Sequence, residues 1–236
     1  MTINTKITVS VIIPVFNCEG YVAAAIESVL GQTRSPDEVI VVDDGSSDAT
    51  ATVLALFGSR ITIISQPNRG GAEATNRGVA AASGDFLCFL DADDLWTPDK
   101  LAIQMNWLSA HPETEAVFGH VRQFISEDLE PSVAKRLACP QSSQPGVSKI
   151  TMAIRREAFN RVGAFDSSLR SVDFIDWFAR ALDRGLKTEM LPDLVALRRL
   201  HATNNGLRIR ASQVSENLTV LKRALDRRRI KPHRVA

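Results

Sequence analysis

The chain has 236 residues, of which 44% are hydrophobic and 23% are charged, and its formal net charge is +1. This length suits one α/β domain, or one domain with a small appendage, that has a substantial core. The nearly neutral charge argues against nucleic acid as the partner. No secretory leader is recognisable and the apolar runs are far shorter than the ~20 residues of a membrane span, so the sequence predicts a cytoplasmic protein.

The first half of the chain alternates between strand-like and helix-like segments. Apolar runs rich in β-branched residues predict strands at Ile7–Phe16, Glu38–Val42, Ile61–Ser65 and Phe86–Leu90, with helices between them. Successive βα units predict an α/β fold with a mainly parallel, Rossmann-like sheet flanked by helices. In such sheets, ligands bind in the crevice outside the carboxyl ends of the strands.

Three carboxylates, those of Asp91, Asp93 and Asp94, follow the most apolar of these strands. Carboxylates this close together repel each other unless a cation, a hydrogen-bonding ligand or solvent relieves the repulsion. Hard oxygen ligands favour Mg²⁺ or Mn²⁺ over zinc. An alternative for Asp94 is a cap on the helix that follows, because helix N-caps favour Asp.

A second group of acids begins with Asp43 and Asp44, directly after the second strand. Two strands of one sheet that both end in carboxylates predict a single polar crevice. The chain lacks both the Gly-x-Gly-x-x-Gly loop and the Gly-x-x-x-x-Gly-Lys-Ser/Thr loop, which argues against a nicotinamide dehydrogenase and a P-loop NTPase. A nucleotide held by strand-end acids and a metal fits the pattern better.

The pattern is less regular beyond Leu108. We predict a strand at Ala116–Gly119, a loop at Glu127–Val147, a short helix at Ile154–Val162, a strand at Val195–His201 and a turn at Asn204–Gly206. A helix that begins near Val172 would place Asp173, Asp176 and Arg180 on one face. For Asp176 and Arg180 this spacing is typical of a surface ion pair.

Residues 210–236 are predicted to form an amphipathic helix with a basic end. Val214, Leu218, Leu221 and Leu225 recur at helical spacing, and Arg227–Arg229 follow them. The basic residues complement the helix dipole. Contact of this segment with acidic lipid or an acidic partner is the alternative explanation of its charge.

Several segments, in this order, closely resemble family 2 glycosyltransferases of the GT-A fold. They are Val11–Asn17, Ala25–Thr33, Glu38–Asp48, Phe89–Asp94, Gly163–Asp166 and Asp173–Arg180. We accordingly divide the chain into a nucleotide-sugar-binding half (residues 1–110), an acceptor-side catalytic half of the same domain (residues 111–209) and the C-terminal basic helix (residues 210–236).

The resemblance implies a glycosyltransferase of the hexosyltransferase class that inverts the anomeric centre and uses a nucleotide-diphosphate sugar, usually UDP-linked. Asp44 would read the nucleotide base. Pro14, Val15, Asn17 and Asn68 would line the same pocket.

The resemblance also assigns the metal and the base. Asp91 and Ala92 would contact the donor, and Asp91 and Asp93 would hold Mn²⁺ or Mg²⁺ with help from His201. Asp173 would be the general base that accepts a proton from the acceptor hydroxyl. The acceptor implied for a chain of this size is a small molecule, a lipid intermediate or a peptide.

Two positions depart from the family pattern: Val172 stands where Glu is common, and Thr75 stands where Arg is common. Val172 motivates the alternative of a nucleotide-sugar-binding protein without turnover. A sugar-phosphate nucleotidyltransferase is the other alternative, although it normally has a glycine-rich basic loop where this chain has Asn17–Gly20.

Overall fold

The computed structural model describes residues 7–137, 139–140, 142–201 and 210–230. The strands are β1 (Val9–Val15), β2 (Glu38–Asp43), β3 (Thr62–Ser65), β4 (Phe86–Phe89), β5 (Leu95–Trp96), β6 (Ala116–Ile125), β7 (Gln144–Gly146), β8 (Ala153–Arg155) and β9 (Thr188–Leu200). The helices are α1 (Val22–Leu30), α2 (Thr50–Ala55), α3 (Gly71–Ala81), α4 (Lys100–Ala110), α5 (Pro131–Ala134), α6 (Arg156–Val162), α7 (Asp173–Asp183) and α8 (Arg210–Ile230). Short 3-10 turns lie at Gly58–Arg60 and Lys149–Thr151.

All the strands join one sheet in the order β3-β2-β1-β4-β8-β6-β9-β5, and β7 pairs with β6. The strands from β3 to β4 in this order are mutually parallel, as predicted from the successive βα units. Beyond β4 the pairing is mixed: β8 is antiparallel to both β4 and β6, whereas β6 and β9 are parallel. The parallel part therefore carries the first 90 or so residues, and the mixed part carries the rest.

Helices cover the sheet on both faces, because alternate side chains of each central strand point to opposite sides. Val11 and Ile13 of β1 pack with α1, α2 and α4 in one core cluster. Ile12 of the same strand belongs to a second cluster with residues of α3, α6 and α7. Both faces of the central strands are thus buried, and only the strand ends are open to a ligand.

The pairing of β5 with β9 brings distant parts of the chain to one end of the sheet. β5 follows Asp94 directly, and its Leu95 lies opposite Leu197 of β9 in an antiparallel pair. The residues at the end of β9 consequently return to the loop that follows β4.

Several predictions for the second half are wrong in detail. The helix expected at Ile154–Val162 begins only at Arg156, because Ala153–Arg155 form β8 between β4 and β6. The segment expected to be a loop, Glu127–Val147, contains α5 and β7. β6 and β9 extend beyond the predicted strands because they pair with each other, through a bulge, up to Ile125 and Leu200.

Helix α8 packs on the segment that leads into α7. Val220 of α8 is buried with Leu169 and Val172, and the Glu216 carboxylate accepts hydrogen bonds from the backbone N–H groups of Arg170 and Ser171. The predicted turn at Asn204–Gly206 and residues 231–236 lie outside the described residues. In the part of the chain that the structure describes, no helix combines the length and the hydrophobicity needed to cross a membrane.

Candidate active site

Hydrogen bonds join the loop after β1 to the loop after β2. Asn17 has a left-handed backbone with φ of 47°; its N–H donates to Ser46 Oγ at 2.9 Å, and its Oδ1 accepts from the Ser47 N–H at 2.7 Å. The Val15 carbonyl accepts a hydrogen bond of 2.8 Å from the Asp44 N–H. The first two strand ends therefore form one connected surface.

The carboxylate of Asp44 organises the loop after β3. Asp44 is only 2% exposed. Its Oδ1 accepts hydrogen bonds from Gln66 Nε2 at 2.7 Å and from the Arg69 N–H at 2.8 Å, and its Oδ2 accepts one from the Gly70 N–H at 2.7 Å. Uncharged donors thus satisfy this buried charge, and they hold the third strand-end loop against the second.

Asn68, predicted to line the nucleotide pocket, lies within this loop. A Cβ at Gly45, whose φ is 78°, would stand 2.9 Å from the Asn68 backbone nitrogen, so only glycine permits this close approach. Pro14 is half-buried, whereas the Val15 side chain is buried in the core. The structure brings these residues together around Asp44, but Val15 can reach a nucleotide only through its backbone.

The acids after β4 are bonded to residues at the end of β9. His201 Nε2 lies 2.8 Å from Asp93 Oδ2, and Arg199 Nε donates to the Asp93 carbonyl at 2.9 Å. Asp94 Oδ1 accepts a hydrogen bond of 2.7 Å from the Arg199 N–H. The alternative of Asp94 as a helix cap is wrong, since the next helix begins only at Lys100.

Burial and mutual repulsion disfavour the ionised form of the carboxylates in this acid cluster. Burial raises the pKa of Asp94 well above its usual value, and the Asp93 and Asp91 carboxylates raise it further. Burial also raises the pKa of Asp91; Lys149 opposes this shift, whereas Asp93 and Asp173 add to it. A cation bound here would stabilise the ionised carboxylates.

A divalent cation fits this donor set, although the protein supplies only part of its coordination. Among the described residues, no three His, Cys, Asp or Glu side chains form a ready metal cluster. Mg²⁺ is usually held by one or two carboxylates together with substrate phosphates and water. The Asp93–His201 contact, with Asp91 nearby, suits such an ion, which would complete its coordination with the diphosphate of a substrate.

Asp173, predicted to be the general base, is the first residue of α7 and is almost fully buried. Its Oδ2 lies 2.9 Å from Lys149 Nζ, and its charge acts on Asp91. The structure therefore brings the predicted base close to the predicted metal ligands, even though 80 or so residues separate them in the chain.

The family is decided by comparison with known proteins. The model of glycosyl transferase family 2 matches residues 10–171, which include both acid clusters but not Asp173. The chain belongs to glycosyl transferase family 2. This membership confirms the resemblance predicted from the strand-end motifs.

Curated glycosyltransferases match the chain over part of their length. An uncharacterized glycosyltransferase of Rickettsia typhi is 31% identical over 182 residues, which are 72% of this chain and 57% of the relative. An uncharacterized glycosyltransferase of Nostoc sp. is 45% identical over 97 residues, which are 39% of this chain and 30% of the relative. The chain therefore spans little more than half the length of the curated relatives it matches, or less.

Solved structures share the GT-A type of fold. Staphylococcus aureus TarS in complex with UDP-GlcNAc has a TM-score of 0.67 at 20% identity, covering 84% of this chain and 60% of that chain. The mannosyltransferase PcManGT from Pyrobaculum calidifontis, in complex with GDP-Man and Mn²⁺, has a TM-score of 0.66 at 24% identity, covering 89% and 62%. At these identities the likeness shows the fold, and it confirms the predicted fold class.

The departure of this family 2 member at Val172 has a structural reason. Val172 is 3% exposed and packs against Leu169 and Val220. A glutamate here would place a carboxylate beneath α8, where desolvation is costly. The valine thus belongs to the docking site of α8.

The predicted i, i+4 ion pair of Asp176 and Arg180 in α7 is confirmed, but it is buried and not on the surface. Asp176 is 3% exposed, and its Oδ2 accepts a hydrogen bond of 2.8 Å from Arg180 Nε. Arg180 also donates to the carbonyls of Val162 and Ala164. The pair therefore holds the loop between α6 and α7.

Sequence reasoning missed Lys149, which bonds to the predicted base. Burial by itself would lower the pKa of Lys149, but the Asp173 and Asp91 carboxylates outweigh burial and raise it. In the sequence it is a single lysine after a proline- and serine-containing segment, and no motif distinguishes it from a surface lysine.

Proposed function

We propose that this protein is an inverting, metal-dependent glycosyltransferase of the hexosyltransferase class, which moves a sugar from a nucleotide-diphosphate sugar, preferably UDP-linked, to an acceptor hydroxyl. The observation that carries the proposal is the convergence of Asp91, Asp93, His201 and Asp173. They lie at the end of the sheet that also carries the Asp44 loop, because β2 and β4 both run parallel to β1. Solved structures of the same fold type, in complex with UDP-GlcNAc or with GDP-Man and Mn²⁺, support this class of donor.

In this proposal the nucleoside binds at the connected loops after β1, β2 and β3. Asp44 reads the base. Pro14, Val15, Asn17 and Asn68 line the same pocket, with Val15 contributing its backbone. The loops are already joined by hydrogen bonds from Asn17 and Asp44, so little conformational entropy would be lost when the nucleotide binds.

The diphosphate and sugar extend from this pocket towards the acids after β4. Ala92 is almost buried between Asp91 and Asp93, and its small side chain leaves room for the donor. Bound by Asp91, Asp93 and His201, Mn²⁺ or Mg²⁺ would neutralise the negative charge that develops on the departing diphosphate.

Asp173 supplies the base. The acceptor hydroxyl attacks the anomeric carbon on the face opposite the diphosphate, while the Asp173 carboxylate accepts the hydroxyl proton. The bond between the anomeric carbon and the diphosphate oxygen breaks as the new glycosidic bond forms, so the configuration inverts. The nucleoside diphosphate leaves with the bonding electron pair.

The proposed acceptor is a small molecule, a lipid intermediate or a peptide, and the proposed location is the cytoplasm. Leu218, Leu221 and Leu225 of α8 are exposed, which supports peripheral contact of this basic segment with acidic lipid. The charge balance gives no reason to assign a nucleic-acid partner.

The first test is thermal unfolding of the protein with UDP-, GDP- and dTDP-sugars, each with Mn²⁺ and again with EDTA. A ligand at a hundredfold excess over its dissociation constant adds about 2.7 kcal/mol to the free energy of unfolding. We expect one nucleotide class to raise the unfolding temperature and EDTA to abolish the increase. The absence of any increase would contradict the proposed donor site.

Turnover separates the proposal from its two alternatives. Slow release of UDP from the bound donor, in the absence of acceptor, is expected of a transferase. Donor binding with neither hydrolysis of the donor nor transfer of the sugar to any member of a wide acceptor panel would favour a binding protein. Release of pyrophosphate from UTP and a sugar phosphate would favour a nucleotidyltransferase.

A further inference from the structure

Lys149 interacts with the predicted base Asp173 and, electrostatically, with the predicted metal ligand Asp91. Its Nζ lies 2.9 Å from Asp173 Oδ2, and its charge acts on Asp91. Its ammonium group also lies 5.4 Å from the centroid of the Phe165 ring, which favours a cation. One lysine therefore interacts with a carboxylate from each half of the site.

We propose that Lys149 is a positioning residue, which orients the Asp173 carboxylate towards the acceptor. This inference rests on the proposed function. Lys149 engages Oδ2 of Asp173, and no other described residue donates a hydrogen bond to Oδ1. Oδ1 is then the oxygen that takes the proton from the hydroxyl of the sugar acceptor. The direction in which Oδ1 points depends on the bond between Oδ2 and Lys149.

The turn that carries Lys149 is held by side chains from the segment after the β4 acids. Trp96 Nε1 donates to the Ile150 carbonyl at 2.9 Å, and Gln104 Nε2 donates to the Thr151 carbonyl at 2.7 Å. Lys100 Nζ donates to the next carbonyl, that of Met152, at 3.4 Å. Successive carbonyls after Lys149 thus each receive a side-chain hydrogen bond.

One of the side chains that hold the Lys149 turn, Lys100, is a buried charge, which is an uncommon feature of a protein core. Lys100 is 0% exposed; its Nζ donates to Gln104 Oε1 at 2.5 Å and lies 4.2 Å from the centroid of the Trp96 ring. Because desolvation of a lysine is costly, a network of this kind is expected where the backbone must be held in one place. The Lys149 turn is that backbone.

The test compares Lys149→Met and Lys149→Arg with Lys222→Met, a control at an exposed lysine of α8. The donor is the UDP-sugar that gives the largest thermal shift, and UDP with Mn²⁺ is the binding probe. We expect Lys149→Met to bind UDP within about threefold of wild type and to lower kcat for donor hydrolysis by about tenfold or more. Lys149→Arg should recover much of this loss, and Lys222→Met should match wild type.

A double variant distinguishes positioning from a structural role. If Lys149 acts through Asp173, Lys149→Met should add little further loss of kcat to Asp173→Asn, because effects of residues that act as one unit are not additive. The double variant also removes both charges of the pair, so it should fold even if Lys149→Met alone is unstable.

Three results would overturn the inference while leaving the proposed function intact: an unchanged kcat in Lys149→Met, an equal loss in the Asp173→Asn background, or a parallel loss of UDP affinity. The last would assign Lys149 to the donor diphosphate. If the wild-type protein neither binds nor hydrolyses any nucleotide sugar, the proposed function fails and the inference fails with it.

Discussion

The acids after β2 and the acids after β4 are similar in sequence but differ in how their charge is compensated. Asp44 receives hydrogen bonds from backbone and amide donors of the adjacent strand-end loop. The β4 acids rely on His201, Arg199 and Lys149, which come from the second half of the chain.

The loop after β2 is therefore a binding surface whose charge is already compensated, whereas the charge of the loop after β4 is only partly compensated. The β2 loop has its charge satisfied by neutral donors, so its geometry is set before any ligand arrives. In the β4 loop, burial and neighbouring acids raise the pKa values of Asp91 and Asp94, so the folded protein favours the binding of positive charge there. We expect the first cluster to contribute mainly to stability and nucleotide affinity, and the second to contribute mainly to turnover.

The largest effect, a loss of turnover, is expected at Asp173, the predicted base, whose charge acts on the acids after β4. Asp173→Asn should lower kcat for transfer about 10²- to 10⁴-fold, because the amide cannot accept the proton of the acceptor hydroxyl. UDP affinity in the presence of Mn²⁺ should change little. Asp193→Asn, at an exposed carboxylate of β9, is the matched control. Near-full transfer by Asp173→Asn would remove Asp173 from the role of base.

A pair of matched substitutions tests the contrast in stability. Asp44→Asn should lower the free energy of unfolding by about 2 to 3 kcal/mol, since the new NH₂ group would face backbone N–H donors and leave at least one without an acceptor. Asp91→Asn should leave the free energy unchanged or raise it, because burial disfavours the Asp91 charge. Both are measured by urea unfolding without metal. Equal losses would show that the two clusters do not differ as inferred.

A smaller effect, that of pH on the free energy of unfolding, is expected through Lys100, which helps to hold the turn that carries Lys149. Burial lowers the pKa of Lys100 from its usual 10.5 to about 8. Between these values the unfolded chain binds more protons than the folded protein, so the stability of the wild type should rise with pH. The gain between about pH 7 and about pH 10 should be about 2 kcal/mol relative to Lys100→Met, in which this titration is absent. Parallel pH profiles in urea unfolding would contradict the assignment.

The strand-end acids were predictable because they depend on short stretches of sequence. The apolar run Phe86–Leu90 indicates a strand buried on both faces, and the carboxylates that follow it must then lie at the end of the sheet. The same reasoning placed Asp44 beside them. The parallel half of the sheet was predicted correctly because β1, β2 and β3 are each followed by a helix before the next strand begins.

The acceptor side was predicted less well because its elements depend on partners distant in the chain. Ala153–Arg155 extends a helical pattern in the sequence, yet it forms a strand because it fits between β4 and β6. Val172 departs from the family pattern, but its neighbour Val220 on α8 explains the valine. Neither outcome is encoded within a window of ten or fifteen residues.

The sequence by itself determined the family, the fold class and the identity of the strand-end acids, because periodicity and local motifs specify them. Only the tertiary structure decided which groups compensate those acids. Arg199 reaches Asp94 across 105 residues of chain, and Lys149 reaches Asp173 across 24. Such contacts follow from the order and register of strands, which no local pattern carries, and they decide how charge is distributed in the site.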